Sequence, residues 1–193
     1  ADHIDVSRLP ECDFDDPLGE ATGAGVIFGA SGGVLEAALR TAYHTVTGEN
    51  PEIGEQSPLK VLRQIGSFKE LEIDIKGVKL HCAALSSLGE ARRLIQAMKR
   101  GECHYDFVEV MACPGGCING GGQPQVRGSV RNFTDVRAIR AKALYENDAA
   151  KPIRKSHENP AIQQLYKEYF GEPGSHKAHE VLHTTYVKRV INK

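Results

Sequence analysis

Residues 68–85, FKELEIDIKGVKLHCAAL, place the tightest constraint on how this chain can fold. Leu71, Ile73 and Ile75 alternate with Glu70, Glu72 and Asp74, a period of two that matches a strand and not a helix. Lys76-Gly77 separates two such runs, which predicts a β-hairpin. The period then changes. Ser87 and Glu90 form a capping box, Ala91, Leu94, Ile95 and Met98 give a helix its apolar face, and Gly101 closes it. Next, YDFVEVM reads as a short buried strand rich in β formers, and it runs directly into Cys113.

Elements on either side complete the pattern. Residues 19–48 begin as a glycine-rich loop (Gly19, Gly23, Gly25, Gly29, Gly32, Gly33). They continue as a helix with Val34, Leu35, Ala38, Leu39, Ala42 and Tyr43 on one stripe, stopped by Gly48. Residues 134–147 have helical character, Asn159-Pro160 opens a helix that Gly171 ends, and a last short helix follows Ser175. The order predicts an α/β fold with a mixed β-sheet flanked by helices. At 193 residues, one domain over 1–193 is expected.

Charge and cysteine usage narrow the function classes. A net charge of −1 gives no global field for nucleic acid or an anionic membrane. No apolar run approaches the roughly 18 residues of a membrane span. The opening ADHIDVSRLP, acidic further on through Asp13–Asp16 and Pro17, is no signal peptide and lacks Met. A processed, split or truncated chain is therefore expected. The cysteines number five, at 12, 82, 103, 113 and 117. An odd count without a secretion signal argues for a reducing compartment, here the cytoplasm, over a disulfide framework.

MACPGGCINGGGQP, residues 111–124, is the unusual stretch. Its C-x₃-C pair follows a strand and should sit at that strand's carboxyl end, where α/β sheets commonly place ligands. Thiolates suit zinc or iron–sulfur clusters, but either needs further ligands. Cys12, Cys82 and Cys103 show no partnering motif and read as buried or incidental thiols. A tight turn with two structural thiols leaves the GGG run unexplained, whereas bare N–H groups can donate to cluster sulfur. GAGVIFGASGG lacks both the G-x-G-x-x-G and the P-loop spacing. It can serve a close backbone contact with a neighbouring loop, a nucleotide, or a cofactor pressed against bare backbone. His176, His179 and His183 share a helical face, which suits packed rings or, less readily, a metal.

EVMACPGGCINGGGQP closely resembles the third cysteine motif of the iron-iron (FeFe) hydrogenases, E-x-M-x-C-x-x-G-C-x-x-G-G-G-Q-P, with every fixed position filled from Glu109 to Pro124. FDDPLGEATGAGVIFGASGGVLEAALRTAY resembles the glycine-loop helix of that family, and GSHKAHEVLHTTY its C-terminal end. The likeness is greatest to the multisubunit, NAD(P)-linked members. It implies an H-cluster, a 4Fe–4S cubane joined through a cysteine sulfur to a two-iron unit with CO, cyanide and a dithiolate. Cys113 would ligate the cubane. Cys117 would ligate it and bridge to the two-iron unit, the catalytic position. Met111 would pack beside that unit, and Phe28 and Gly29 would wall it.

The implied reaction is reversible reduction of protons to H₂. The implied partners are an N-terminal lobe with the other two cluster cysteines and ferredoxin-like or NAD(P)H-linked electron-transfer subunits. The family's earlier motifs, T-S-C-C-P and M-P-C-x-x-K, are absent from these residues, so the isolated chain is expected to be inactive. A non-catalytic iron–sulfur or sensory relative, or an apo fragment, remains the alternative.

Overall fold

The computed structural model describes residues 5–15, 18–54 and 56–187; Asp16 and Pro17 of the acidic opening lie outside them. In chain order the elements are α1 (Gly23–Val26), α2 (Gly33–Thr47), β1 (Phe68–Ile75), β2 (Val78–Ser86), α3 (Leu88–Lys99), β3 (Phe107–Met111), α4 (Gly128–Arg131), α5 (Val136–Ala150), α6 (Pro160–Leu165) and α7 (His176–Leu182).

The hairpin forms as expected. β1 and β2 pair antiparallel, from Phe68 opposite Leu85 to Ile75 opposite Val78. Lys76 and Gly77 take φ of 52° and 84°, the left-handed pair a two-residue loop requires. The alternation buries Leu71, Ile73 and Ile75 against Leu35 and Leu39 of α2 and against Leu59 and Leu62. Each such side chain contributes about 1.5–3 kcal/mol when fully buried.

β3 lies parallel to β2, with Cys82 opposite Phe107 and Ser86 opposite Met111. The sheet is therefore mixed, in the order β1-β2-β3, with helices packed on it. The expected burial of the YDFVEVM strand is not found. As an edge strand β3 has a strand neighbour on one side only, and Phe107 is 45% and Val110 48% exposed. Its single buried residue is the charged one, Glu109. On α3, Ser87 Oγ accepts from Glu90 N–H as the capping box implies, and Leu94 is buried. Ile95 sits on the flank of that contact, 52% exposed, and is not part of the buried face.

α2 is buried around a wider arc than its apolar stripe, because Glu36 and Arg40 also lie inside. They meet Asp148 of α5, Arg63 and Arg154 in a paired ionic network that ties the C-terminal helices to α2. Gly23 permits this approach, since a Cβ there would fall 2.1 Å from Asp148 Oδ1. α5 starts from an Asp135 cap and extends past residue 147 to Ala150. The helix from Pro160 finishes in a π turn, Tyr166–Phe170, and stops at Gly171 (φ 83°).

Candidate metal centre

The cysteine loop starts where the parallel strands β2 and β3 end together. Ser87 N–H donates to Met111 C=O at 2.7 Å, and Gly115 N–H donates to Ser86 Oγ at 3.1 Å. The next turns need glycine: Gly115 and Gly116 have φ of 85° and 96°. Gly116 N–H closes back on Cys113 C=O at 2.9 Å, and Asn119 Nδ2 donates to Pro114 C=O at 3.1 Å. From α5, Arg140 donates to the carbonyls of Ile118 at 2.8 Å and Pro124 at 2.7 Å. Backbone groups on both sides of the loop are thus held by fixed elements.

The glycine loop is pressed against this one. Ser31 N–H donates to Gly115 C=O at 3.0 Å. A Cβ on Gly116 would lie 2.6 Å from Ser31 N and 2.7 Å from Gly29 O. Of the roles open to GAGVIFGASGG, close backbone contact with a neighbouring loop is realised within the chain. Phe28-Gly29 and the Cys113–Cys117 segment, far apart in sequence, are thereby brought together. Phe28 is 44% exposed, Cys117 is exposed, and Gly29, Met111 and Cys113 are half-buried. Of the GGG run, Gly120 lies beside a sulfur, its Cβ position 3.8 Å from Cys113 Sγ. Gly121 and Gly122 have nothing within 4 Å.

Two soft thiols with glycine backbone around them fit an iron–sulfur group as part of a ligand set. Among the described residues no group of three or more His, Cys, Asp or Glu side chains comes together to hold a metal. The other cysteines stand apart. Cys82 is in the middle of β2, 1% exposed, with its thiol pushed up by burial. Cys103 precedes β3, at the end opposite Cys113, and Cys12 is exposed in the opening segment. His179 and His183 meet edge to face with Nδ1 atoms 3.4 Å apart, but His176 does not join them in a three-ligand group.

Two charged residues behind the glycine loop were not legible as site residues. Glu109, 6% exposed, accepts from Gly32 N–H at 2.6 Å and Leu35 N–H at 2.8 Å. Lys69, 8% exposed, donates through Nζ to the carbonyls of Ser31 and Leu62. Burial pulls the Lys69 ammonium down to about 8, against the opposing pull of Glu109 and Glu36. Glu109 carried two signals, a lone charge inside the apolar run FVEVM and the first fixed position of the cysteine motif, but neither gave it a role.

Known proteins place the chain. Residues 1–121 match the family described as "Iron only hydrogenase large subunit, C-terminal domain", and residues 134–189 match "Iron hydrogenase small subunit". The NADP-reducing hydrogenase subunit HndD of Solidesulfovibrio fructosivorans is 45% identical over 97% of this chain and 31% of its own length. Iron hydrogenase 1 of Clostridium pasteurianum is 44% identical over 96% and 32%. The chain thus spans about a third of the length of these relatives. More distant is the cytosolic Fe-S cluster assembly factor narfl of Xenopus tropicalis, 35% identical over 82% of this chain and 31% of that protein. A variant of the [FeFe]-hydrogenase HydA1 from Chlamydomonas reinhardtii superposes with a TM-score of 0.64 at 39% identity, covering 95% of this chain and 51% of that one. With the family match covering 121 of the 193 residues, the chain belongs to the iron-only hydrogenase large-subunit family.

Proposed function

We propose that this chain forms one half of the H-cluster site of an FeFe hydrogenase and holds it from the C-terminal side. The observation that carries the reading is the apposition of two loops. Gly116 packs on Gly29 and Ser31, so the backbone segments that carry Cys113, Cys117 and Phe28 meet at one glycine-lined junction, with Phe28 and Cys117 left exposed. In this reading Cys113 and Cys117 would hold a 4Fe–4S cubane, and Cys117 would also hold the two-iron unit bearing CO, cyanide and a dithiolate. When bound, that group supplies a redox-active metal site for reversible reduction of protons to H₂. The chain's own residues bind and orient it: Arg140 and Ser86 fix the loop that carries the thiols. Phe28, Gly29 and Met111 form the wall that keeps water away.

Two sulfur ligands are half of what a cubane takes, so the remainder come from a lobe carrying two more cysteines. The similarity to an NADP-reducing hydrogenase subunit supports NAD(P)H-linked or ferredoxin-like electron-transfer partners. Cys117→Ala in the assembled enzyme is expected to abolish the infrared CO and cyanide bands together with H₂ turnover. Retained turnover in that variant would overturn the assignment.

Similarity to a cytosolic Fe-S cluster assembly factor supports a second reading, an iron–sulfur protein without the two-iron unit. Fully matured wild-type protein lacking CO and cyanide bands would decide for it.

A further inference from the structure

We propose that Glu109 is a positioning residue that locks the cofactor wall to the strand delivering the thiols; this rests on the H-cluster reading above. Helix α2 begins at Gly33, with three residues separating it from the wall residues Phe28 and Gly29, and it lacks a side-chain cap of its own. Its N-cap residue is Gly32, with φ 92° and no side chain to accept from the helix. No other residue fits there, because a Cβ would fall 2.4 Å from Leu62 O. The first-turn N–H groups of a helix need acceptors, and buried ones especially.

Glu109 supplies both acceptors from across the sheet. Its Oε1 takes Gly32 N–H and its Oε2 takes Leu35 N–H, 77 and 74 residues away in sequence. The negative charge also sits at the positive end of a 15-residue helix. On the other side of Gly32, Lys69 holds the carbonyls of Ser31 and Leu62. Ser31 N–H in turn holds Gly115. Residues 29–35 are therefore fixed to β3 by a carboxylate and to the cysteine loop by backbone. Since Glu109 precedes Cys113 by four positions, strand, wall and thiols form one rigid unit.

A carboxylate of this length is required. Glu109→Gln keeps the reach but turns an NH₂ group toward one of the two N–H donors. Glu109→Asp keeps the charge and loses the reach. Both variants, and Leu94→Ala in the α3 contact as a control for general destabilisation, are made in the complete hydrogenase assembly containing this chain. Amide hydrogen exchange is followed over residues 28–35, and the infrared CO bands are recorded after maturation.

Exchange over 28–35 is expected to rise at least tenfold in both Glu109 variants and to stay unchanged in Leu94→Ala. The CO bands are expected to broaden or shift at unchanged iron content. Unchanged exchange in both Glu109 variants, or an equal rise in Leu94→Ala, overturns the proposal, as do CO bands at wild-type position and width. If wild-type protein shows no CO bands, the H-cluster reading fails by itself, and exchange then judges the clasp.

Discussion

Arg40 and Asp148 meet as a two-pronged pair, with Nη1 2.9 Å from Oδ1 and Nη2 2.8 Å from Oδ2, and both side chains are fully buried. Arg40 Nη2 also reaches Glu36 at 2.6 Å, and Arg154 Nη2 donates to the same Asp148 Oδ2 at 2.7 Å. Removing one member of a buried pair strands the other charge, which costs about 3–5 kcal/mol. Asp148→Ala should lower the stability of the chain by that much in a urea titration. Lys142→Ala removes the exposed Lys142–Glu146 pair and should change it by no more than about 0.5 kcal/mol. Equal effects would show that burial does not set the strength of this network.

Glycines of the cysteine loop should divide by what surrounds them. Gly116→Ala forces a Cβ into Ser31 N and Gly29 O at a φ of 96°, so the cysteine loop must move away from residues 29–31. Iron content of the assembled protein should fall severalfold, while the far-ultraviolet circular dichroism stays near wild type. Gly121→Ala meets nothing within 4 Å in this chain. Its effect on chain stability should lie within about 0.5 kcal/mol, and a loss of iron from this variant would mean that Gly121 faces the cluster or the other lobe.

Lys69 gives the fold a pH dependence of known sign. Its ammonium is held near 8 in the folded chain, against an ordinary value of 10.5. Between these values the unfolded chain keeps a proton that the folded chain has released, so stability rises with pH. The slope from this group reaches at most about 1.4 kcal/mol per pH unit, and it vanishes above the unfolded value. Urea midpoints of wild type minus Lys69→Met should therefore increase through that window. A flat difference would place the Lys69 ammonium at its ordinary value.

Val110 of β3 should tolerate polar substitution. Val110→Ser is expected to shift chain stability by under about 1 kcal/mol, because Val110 is 48% exposed. Leu85→Ala, fully buried in the neighbouring strand, should cost about 2–5 kcal/mol. Comparable losses from both would mean that β3 is covered in the chain as it exists in solution.

Much of the fold was legible where the signal is local. The β1–β2 hairpin follows from alternation and Lys76-Gly77, and the caps at Ser87 and Asn159 from side chains that reach their own helix. β3 misled because a short apolar run looks the same at the centre or the edge of a sheet, and only the parallel pairing with β2 decides which. Ile95 misled for a related reason: a helix contacting a sheet edge buries a narrower strip than its apolar spacing allows. Glu36, Arg40 and Asp148 carry no buried signature, since Glu and Arg at i and i+4 usually form a surface pair. At the site, the cysteine pair and the glycine loop announced themselves. A close contact of the glycine loop with a neighbouring loop was one of the roles open to it, but that Gly116 makes this contact could not be read, because close approach depends on which backbone lies opposite.

The capping of α2 by Glu109 also sets an order of events during synthesis. A ribosome makes α2 long before it reaches the residue that completes it, 77 positions later. Until then the helix start and the Phe28-Gly29 segment ahead of it lack their anchor. Cys113 and Cys117 emerge within eight residues of Glu109, so on the reading proposed above the wall and the thiols would become competent together, and a nascent chain would offer iron no finished site before both exist.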